Sequence, residues 1–301
     1  MAATHGVPIR PTAPHLGARP PAGPAGPPLP RDAAEAISAL VERGAGLHLD
    51  PAKTEFIAFR VGRRLRELGL SDFRAYLARL EADTSGAELR HLVESLTTHT
   101  TSFFREAHQY AWLDETGLDL LAETTRGPLR VWSAAASIGA ELWSTAILLA
   151  ERAARGQGPT RWELLGTDVS ARVIARAERA VYTEEEIAGL SPGRRARYLM
   201  RARRFTDAGG RPLWRVVPEL RAQARFARAN LQELGELPDF AADVVFLRNV
   251  LIYFAPAAQA RVVEGVARRL RPGGILFTGH AEAIGPHPAL APLRPSIYRK
   301  V

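Results

Sequence analysis

The first third of the chain, from about residue 32 to residue 110, has apolar residues at the spacing of helices that bury one face. Asp50 followed by Pro51 predicts the start of one helix, because aspartate caps a helix N-terminus and proline fits its first turn. The same helix is predicted to end at Gly69. Its predicted apolar face carries Phe56, Phe59, Leu65 and Leu68.

Two further helices complete this predicted all-helical domain of residues 32–110. The first is predicted to start at Ser71, before another set of apolar residues at helical spacing. Ser85 and Glu88 have the spacing of a capping box, which predicts the start of the second helix. A small helical bundle is therefore expected before the rest of the chain.

From about residue 128 the pattern changes to apolar strands that alternate with helices. The predicted strands span 129–135, 162–166, 243–246 and 274–278, and the predicted helices span 141–155, 170–181 and 256–270. This alternation predicts an α/β fold with a parallel, doubly wound sheet. Ligands of such sheets bind at the carboxyl ends of the strands.

The segment 182–228 interrupts this alternation. It contains a basic helical stretch at 191–203, followed by Gly209 and Gly210 between short apolar segments. We predict an insertion with a small β-hairpin here, because a glycine pair between apolar segments is typical of a hairpin turn.

Composition narrows the class of protein. Residues 1–31 contain nine prolines among glycine and alanine, and they are predicted to form a disordered tail. The 301 residues are 46% hydrophobic, with no apolar run long enough to span a membrane and no secretory signal. The sequence therefore predicts a cytoplasmic protein of one large or two modest domains, without membrane insertion.

Cysteine content and charge exclude some chemistry and leave other partners open. The chain has no cysteine, which excludes disulfides, thiol catalysis and cysteine-ligated metals. Its eight histidines lack the spacing of metal ligands, so no metal site is predicted. The formal net charge of +8 favours an acidic protein surface or a nucleic acid as partner, or reflects an arginine-rich composition without functional meaning.

Two positions at strand ends indicate a site for a nucleotide-like ligand. The loop 133–139 follows the first predicted strand, and Asp168 ends the second. A tight loop lets the backbone approach such a ligand, and a carboxylate accepts hydrogen bonds from ribose hydroxyls. Gly139 is the single glycine of the loop, so the G-x-G-x-x-G fingerprint is absent and the loop alone leaves the ligand open.

Four motifs carry a resemblance to a known family. They are T-T-H-T-T-S-F-F-R-E at 97–106, R-V-W-S-A-A-A-S-I-G-A-E at 130–141, L-R-N-V-L-I-Y-F at 247–254 and L-R-P-G-G-I-L-F-T-G-H-A-E at 270–282. In this order they resemble the bacterial chemotaxis receptor methyltransferases of the CheR family. The resemblance runs from about Ala34 to the C-terminus.

This resemblance implies a fold, a cofactor and a substrate. The implied fold is a Rossmann-like methyltransferase domain at 111–301 with a small inserted β-subdomain, preceded by the helical domain. The implied cofactor is S-adenosyl-L-methionine, which is converted to S-adenosyl-L-homocysteine. The implied substrates are glutamates on the cytoplasmic helices of chemoreceptors. A monomer that binds no nucleic acid is expected.

The resemblance also implies a set of cofactor-binding residues. Glu141 is expected to contact the methionine ammonium group, and Asn230 with Leu231 the edge of the adenine. His99 stands where the family has asparagine, so cofactor affinity is hypothesised to depend on pH. The whole implied set is His99, Thr101, Arg105, Glu141, Asp168, Asn230, Leu231, Arg248 and Asn249.

Methyl transfer to a glutamate is an in-line displacement, and the carboxylate is already ionised at neutral pH. Positioning of the acceptor therefore takes the place of a general base. The resemblance implies that Arg105 and Tyr253 orient this acceptor, whereas Phe103 and Phe104 are expected to pack between the domains. It also implies a basic helix face that meets the acidic receptor, formed by Arg60, Arg63, Arg64 and Arg66.

Other functions stay open on the sequence alone. A non-catalytic S-adenosylmethionine-binding signalling module is motivated by His99, Ala140 and Leu142, which replace asparagine, glutamate and proline of the family pattern. A nucleic-acid methyltransferase is motivated by the charge, although the chain lacks an Asn/Asp-Pro-Pro-Tyr/Phe motif and a catalytic cysteine. A nicotinamide dehydrogenase is disfavoured by the single-glycine loop.

Overall fold

A computed structural model describes residues 28–97, 101–237 and 240–301. Most of the predicted tail, residues 1–27, lies outside this part of the chain. The helices of the N-terminal domain are α1 (Arg31–Ala45), α2 (Thr54–Leu68), α3 (Phe73–Ala82) and α4 (Ala87–Leu96). They enclose a separate apolar core, which includes Ile37, Ile57, Leu65, Tyr76 and Leu92.

The start and the apolar face of α2 differ from the prediction. The Asp50 side chain accepts a hydrogen bond from the Ala52 N–H at 2.9 Å, so it shapes a turn before the helix instead of capping it. The buried face carries Ile57, Val61 and Leu65. Phe59 is 49% exposed, because it lies two residues from Ile57 and so points away from the core.

Glu88 was predicted to close a capping box, and this prediction is wrong. Its buried carboxylate accepts hydrogen bonds from both Arg64 Nε and Arg64 Nη2 at 2.8 Å, and from Tyr76 Oη at 3.0 Å. At the start of α4 it is the Asp83 side chain that accepts a hydrogen bond from the Glu88 N–H, at 2.6 Å. The carboxylate of Glu88 therefore ties α4 to α2 and α3.

The second domain is built on a β-sheet. The described strands are β1 (Leu129–Ser133), β2 (Trp162–Asp168), β3 (Val181–Tyr182), β4 (Leu199–Thr206), β5 (Pro212–Val216), β6 (Ala224–Arg228), β7 (Ala242–Leu247), β8 (Leu270–Thr278), β9 (Leu290–Arg294) and β10 (Ile297–Lys300). Seven of them form the main sheet, in the order β6-β2-β1-β7-β8-β10-β9. The first five strands of this order are parallel, and β10 is antiparallel to both of its neighbours.

Helices cover both faces of this sheet, which confirms the predicted α/β class. Val244 and Phe246 of β7 pack in one layer with α7, whereas Val245 and Leu247 pack in the other with α11. The helices are α5 (Ala107–Trp112), α6 (Leu118–Ala122), α7 (Ala140–Ala154), α8 (Ala171–Arg179), α9 (Pro192–Tyr198), α10 (Pro218–Arg221) and α11 (Pro256–Arg269).

The insertion contains a small antiparallel sheet of order β3-β5-β4. Its hairpin turns at 207–211, where Gly210 has φ +76° and donates its N–H to the Asp207 carbonyl at 3.0 Å. The basic helix is shorter than predicted, because residues 199–206 form β4 instead. The last strand within the predicted insertion, β6, pairs with β2 in the main sheet.

Phe103 and Phe104 do not lie between the domains as predicted. They belong to the core of the second domain, where Phe103 stacks edge-on against Tyr182 and Phe104 against Tyr110, with ring centroids 5.0 and 5.1 Å apart. The next helix, α5, packs on the same sheet through Tyr110 and Trp112.

None of the described helices is long and apolar enough to cross a membrane. Within the same residues, no group of three or more histidine and carboxylate side chains is placed to hold a metal ion.

Candidate active site

A cavity of about 350 Å³ lies at the carboxyl ends of β1, β2, β6 and β7. This is the edge at which ligands of doubly wound sheets bind. The predicted residues that line it are Thr101, Arg105, Glu141, Asp168, Asn230, Leu231, Arg248, Asn249 and Tyr253. His99 lies outside the described residues, so its position is not part of the site geometry.

The loop between β1 and α7 depends on one glycine. Gly139 has φ +87°, and a Cβ atom there would lie 2.9 Å from Trp143 Nε1 and 3.0 Å from the Ala177 side chain. Ser137 also has a positive φ of 50°, and its N–H donates to Asp168 Oδ2 at 2.9 Å. The loop is therefore tightly turned and directly tied to the acid at the end of β2.

Asp168 is buried and is held by backbone groups from two sides. Besides Ser137, the Ser170 N–H donates to its Oδ1 atom at 3.0 Å. Ser170 Oγ in turn donates to Glu94 Oε1 of α4 at 2.8 Å. The orientation of the carboxylate is thus fixed by both neighbouring loops, and the helical domain supports one of them.

The departures of this loop from the family pattern point into the core. Ile138, which stands where the family pattern has threonine, is buried together with Ala140 and Leu142 in the layer that packs on the sheet. Their backbone still makes ordered contacts, since the Ile138 carbonyl accepts a hydrogen bond from Tyr182 Oη at 2.7 Å. These three side chains are accommodated by packing, while Glu141 next to them faces the cavity.

Glu141 and Arg248 form the charged floor of the cavity. Glu141 Oε1 accepts a hydrogen bond from Ser133 Oγ at 2.7 Å, and Oε2 lies 3.4 Å from Arg248 Nη1. Burial raises the pKa of Glu141, although Arg248 and Ser133 act in the opposite direction. Burial alone would lower the pKa of Arg248, but Glu141 and its other neighbours raise it.

Arg248 also fixes the backbone around Arg105. Its Nη2 atom donates to the Arg105 carbonyl at 2.5 Å and lies 3.5 Å from Glu106 Oε2. Phe104 and Glu106 flank Arg105 with φ of 53° and 58°, which is an uncommon backbone for residues with side chains. Contacts with Arg248 therefore hold a strained turn that directs Arg105 to the cavity.

Glu106 links this turn to the loops after β7 and β8. Its Oε1 atom lies 3.2 Å from His280 Nδ1 and accepts the Asn249 Nδ2–H at 3.4 Å. Burial alone would raise the pKa of Glu106, but Arg248, His280 and Asn249 lower it below its ordinary value. This carboxylate is therefore held as an anion.

Asn230 and Leu231 line the part of the cavity that follows β6. Asn230 Oδ1 accepts the Gln232 N–H at 3.1 Å, which leaves its side-chain N–H groups for other acceptors. Leu231 is 7% exposed and offers an apolar surface beside them. This pairing of an apolar wall with amide donors suits a flat heteroaromatic ring.

The sequence did not predict that the linker between α1 and α2 reaches the site. The His48 N–H donates to the Tyr253 carbonyl at 2.7 Å, and Leu47 forms a β-bridge with Phe254. Gln232 Nε2 also donates to the Gly46 carbonyl at 2.8 Å. These contacts use the main chain, so no side-chain pattern in the linker signals them.

The predicted substrate arginines separate into two groups. The Arg64 guanidinium is bound to Glu88 and is mostly buried, so it does not belong to an open basic face. Arg63 is exposed and pairs with Glu67 at 3.1 Å. Arg66 is exposed, and the Arg60 guanidinium lies over the Phe56 ring, 5.4 Å from its centroid.

Comparison with known proteins now identifies the class. Residues 32–97 match the family model of the CheR methyltransferase all-alpha domain, and residues 99–296 match that of the CheR methyltransferase SAM-binding domain. The protein is thus an S-adenosylmethionine-dependent methyltransferase with an all-helical N-terminal domain. The predicted cofactor and fold class are confirmed.

Individual relatives give the family. A chemotaxis protein methyltransferase of Salmonella typhimurium is 39% identical over 246 residues, which cover 82% of each chain. One from Escherichia coli is 38% identical over 249 residues with the same coverage, and chemotaxis protein methyltransferase 2 of Pseudomonas aeruginosa is 35% identical over 80% of this chain and 82% of its own. The chain belongs to the CheR family of chemotaxis protein methyltransferases.

Proposed function

We propose that this protein transfers a methyl group from S-adenosylmethionine to glutamate carboxylates on the cytoplasmic helices of chemoreceptors. The observation that carries the proposal is that Arg105 and Tyr253, both partly exposed, share one cavity with the buried residues Asp168 and Arg248. A site of this kind has an enclosed part for a cofactor and an accessible part for a protein side chain.

The buried part of the cavity fits the charges of the cofactor. Arg248 Nε is buried and has no hydrogen-bond partner among the described residues, and Nη1 is ion-paired with Glu141 at 3.4 Å without a hydrogen bond, which suits an anionic carboxylate group. The carboxylate of Glu141 suits an ammonium group, and that of Asp168 suits ribose hydroxyls. When bound, the cofactor supplies an electrophilic methyl group.

The remaining residues of the wall complete the proposed binding set. Asn230 and Leu231 hold the adenine, and Thr101, Arg105 and Asn249 close the cavity around the sulfonium end. His99 belongs to the set by its place in the motif.

Arg105 and Tyr253 act on the acceptor in this proposal. Arg105 donates charge-assisted hydrogen bonds to one carboxylate oxygen and leaves the other free to attack. Tyr253 packs against the acceptor side chain or donates its hydroxyl hydrogen. A glutamate is ionised at neutral pH, so neither residue needs to remove a proton. Both reduce the freedom of the acceptor before transfer.

The exposed face of α2 is proposed to meet the acidic receptor helix. Arg60, Arg63 and Arg66 supply its positive charge, and Arg64 is left out because Glu88 occupies its guanidinium. Phe59, half-exposed on the same helix, adds an apolar contact in this surface. Attraction of this kind steers association and weakens as salt is added.

Transfer of labelled methyl groups to a purified receptor cytoplasmic fragment tests this function. We expect incorporation that mild base releases as methanol, as for methyl esters, and that is lost when the candidate receptor glutamates are replaced by alanine. Arg105→Ala should lower kcat by about 100-fold while S-adenosylhomocysteine still binds. Base-stable incorporation, or methylation of an added nucleic acid instead of the receptor, would refute the proposal.

The two alternative functions, a non-catalytic binding module and a nucleic-acid methyltransferase, gain no support from the described residues. The non-catalytic module rested on His99, Ala140 and Leu142, and the latter two are core residues that leave Glu141 at the cavity. No observation in the described residues favours a nucleic acid over a protein acceptor.

A further inference from the structure

Glu282 is a buried carboxylate at the end of the fourth motif, and it does not line the cavity. It is 4% exposed and follows β8 by four residues. Its Oε2 atom accepts the Asn249 N–H at 2.5 Å and the Gly279 N–H at 2.8 Å, and Oε1 accepts the Ile252 N–H at 3.3 Å. One side chain thus receives backbone groups from the loops after both β7 and β8.

The loop after β7 has a shape that needs such support. Asn249 has φ +55°, an uncommon conformation for a residue with a side chain. The segment then makes a single helical turn at Leu251–Tyr253. Two N–H groups of this segment converge on Glu282, as amides in turns often converge on an anion. The position of Tyr253 depends on this turn.

The loop after β8 is built closely around the same carboxylate. A Cβ atom on Gly279 would lie 2.5 Å from Glu282 Oε2 and 2.7 Å from Asn249 Nδ2. Thr278 Oγ1 donates to the Glu282 carbonyl at 2.8 Å, so the backbone of Glu282 is fixed as well. The two loops therefore meet with Glu282 between them and leave no room for a larger residue at 279.

The hydrogen bonds that the Glu282 carboxyl group accepts come from backbone N–H groups. Burial raises its pKa, and the hydrogen bonds from Gly279, Asn249 and Ile252 only partly oppose this. Burial of an ionisable group costs free energy. Stability alone does not explain a carboxyl group at this position, whereas the arrangement of the loop does.

We infer that Glu282 is a positioning residue, which holds the segment 249–253 so that Tyr253 faces the acceptor carboxylate. The inference rests on the proposed function for the role of Tyr253. A glutamine has the same shape, but one of its two terminal groups is an NH2 donor and cannot accept the amides that a carboxylate oxygen accepts. Glu282→Gln should therefore release part of the loop without removing any group from the cavity.

The test compares full-length wild type, Glu282→Gln and the control Glu219→Gln, which changes an exposed carboxylate on α10. Receptor-methylation kinetics give kcat and KM, and calorimetry gives the affinity for S-adenosylhomocysteine. For Glu282→Gln we expect kcat to fall by about 10- to 100-fold, with a loss at least about tenfold greater than the loss in affinity. Glu219→Gln should match the wild type.

Hydrogen exchange of the peptide that covers 247–255 gives a readout that does not depend on turnover. Its amides should exchange about tenfold faster in Glu282→Gln than in the wild type. Glu282→Asp keeps the charge but is one methylene shorter, and it should lie between the two in both kcat and exchange. If the glutamine variant does not fold, the aspartate variant is compared with the wild type in its place.

Unchanged exchange in this peptide would overturn the inference, whatever the activity. So would an unchanged kcat, or losses in kcat and in S-adenosylhomocysteine affinity of the same size, since a general structural defect affects both. A wild type that does not methylate the receptor refutes the proposed function instead, and exchange then still decides whether Glu282 holds the loop.

Discussion

Glu88 in the helical domain is held in the opposite way to Glu141 and Glu282 in the methyltransferase domain. In the helical domain, Glu88 accepts hydrogen bonds from Arg64 and Tyr76, and these groups, Arg64 above all, lower its pKa. In the methyltransferase domain, burial raises the pKa of Glu141 and of Glu282. The helical domain pairs the charge of Glu88, whereas Glu141 and Glu282 lie in environments that favour their neutral forms; Glu106, which Arg248 and His280 hold as an anion, resembles Glu88 instead.

This difference separates stability from function. A lowered carboxyl pKa means that folding favours the charged form, so Glu88 stabilises the protein at neutral pH. A raised pKa means the reverse, so Glu141, which lines the cavity, and Glu282, which we infer to hold the loop beside it, weaken the fold at neutral pH. Substitutions in the two domains should therefore affect different measurements.

The largest effect is expected from Glu88→Ala. The change leaves the partly buried Arg64 guanidinium and the Tyr76 hydroxyl without their acceptor, and the free energy of unfolding should fall by about 3 kcal/mol. Affinity for S-adenosylhomocysteine should stay the same, because Glu88 does not line the cavity. Denaturation by guanidinium and calorimetry on the same samples measure both quantities.

Glu35→Ala is the matched control, because Glu35 pairs with Arg31 on the exposed surface of α1. That pair is worth less than about 1 kcal/mol. A loss of stability from Glu88→Ala no larger than from Glu35→Ala would contradict the distinction between the two domains.

The second-largest effect is expected from Glu141→Gln, which removes a buried carboxyl group from the methyltransferase domain. Affinity for S-adenosylhomocysteine should fall by about 10- to 100-fold, because an ammonium group loses a charged acceptor. The free energy of unfolding at pH 7 should change by less than about 1 kcal/mol, because the fold no longer buries that charge. Unchanged affinity, or a loss of stability equal to that of Glu88→Ala, would remove the contrast.

The regular parts of both domains were predictable from local patterns. Long apolar strands such as 162–168 and amphipathic helices such as 256–269 follow from spacing alone. The strands β9 and β10 were not predicted, because they are short and carry proline and charged residues that mimic a loop. The face of α2 was misjudged because Phe56 and Phe59 offer a second apolar set beside Ile57, Val61 and Leu65.

Local sequence patterns also predicted only part of the site. Motifs placed Asp168 and Arg248 at strand ends, and both line the cavity. No motif reports that His48 contacts the Tyr253 carbonyl, because this contact uses the backbone of a linker. Charge spacing on α2 also could not separate Arg64 from its neighbours, because its partner Glu88 lies on another helix.

A smaller effect is expected from pH. As pH falls from 7 to 5, Glu141 takes up a proton at a higher pH than an ordinary glutamate because its pKa is raised. The raised pKa means that Glu141 contributes to the free energy of unfolding in its protonated form. This contribution is fully present below the ordinary carboxyl pKa and is lost as pH rises through the raised pKa. Affinity for S-adenosylhomocysteine changes in the opposite direction and should fall as pH is lowered towards the raised pKa.

Glu141→Gln serves as the control for this pH dependence. Its affinity should be flat over the same range, and the stability difference between variant and wild type should shrink as pH falls. Calorimetry and denaturation at several pH values measure both trends. If the affinity of the glutamine variant still falls, the source is another group, and the hypothesis on His99 takes precedence.

The smallest effect is expected on the surface of the helical domain. Reversing Arg60 and Arg66 to glutamate should raise the KM for the receptor fragment by about threefold to fivefold, since exposed charge pairs contribute little each and are screened by salt. Stability and S-adenosylhomocysteine affinity should not change. The helical domain would then use paired charge inside for stability and open charge outside for recognition.

Arg126→Glu is the control for this last change. Arg126 is exposed and precedes β1, so it lies at the amino end of the sheet, opposite the cavity. If Arg126→Glu raises the KM as much as the α2 reversals do, the effect comes from net charge and not from a receptor-facing surface. If the α2 reversals also weaken cofactor binding, the helical domain does not separate recognition from the site, because the linker at Gly46 and His48 transmits changes to the cavity.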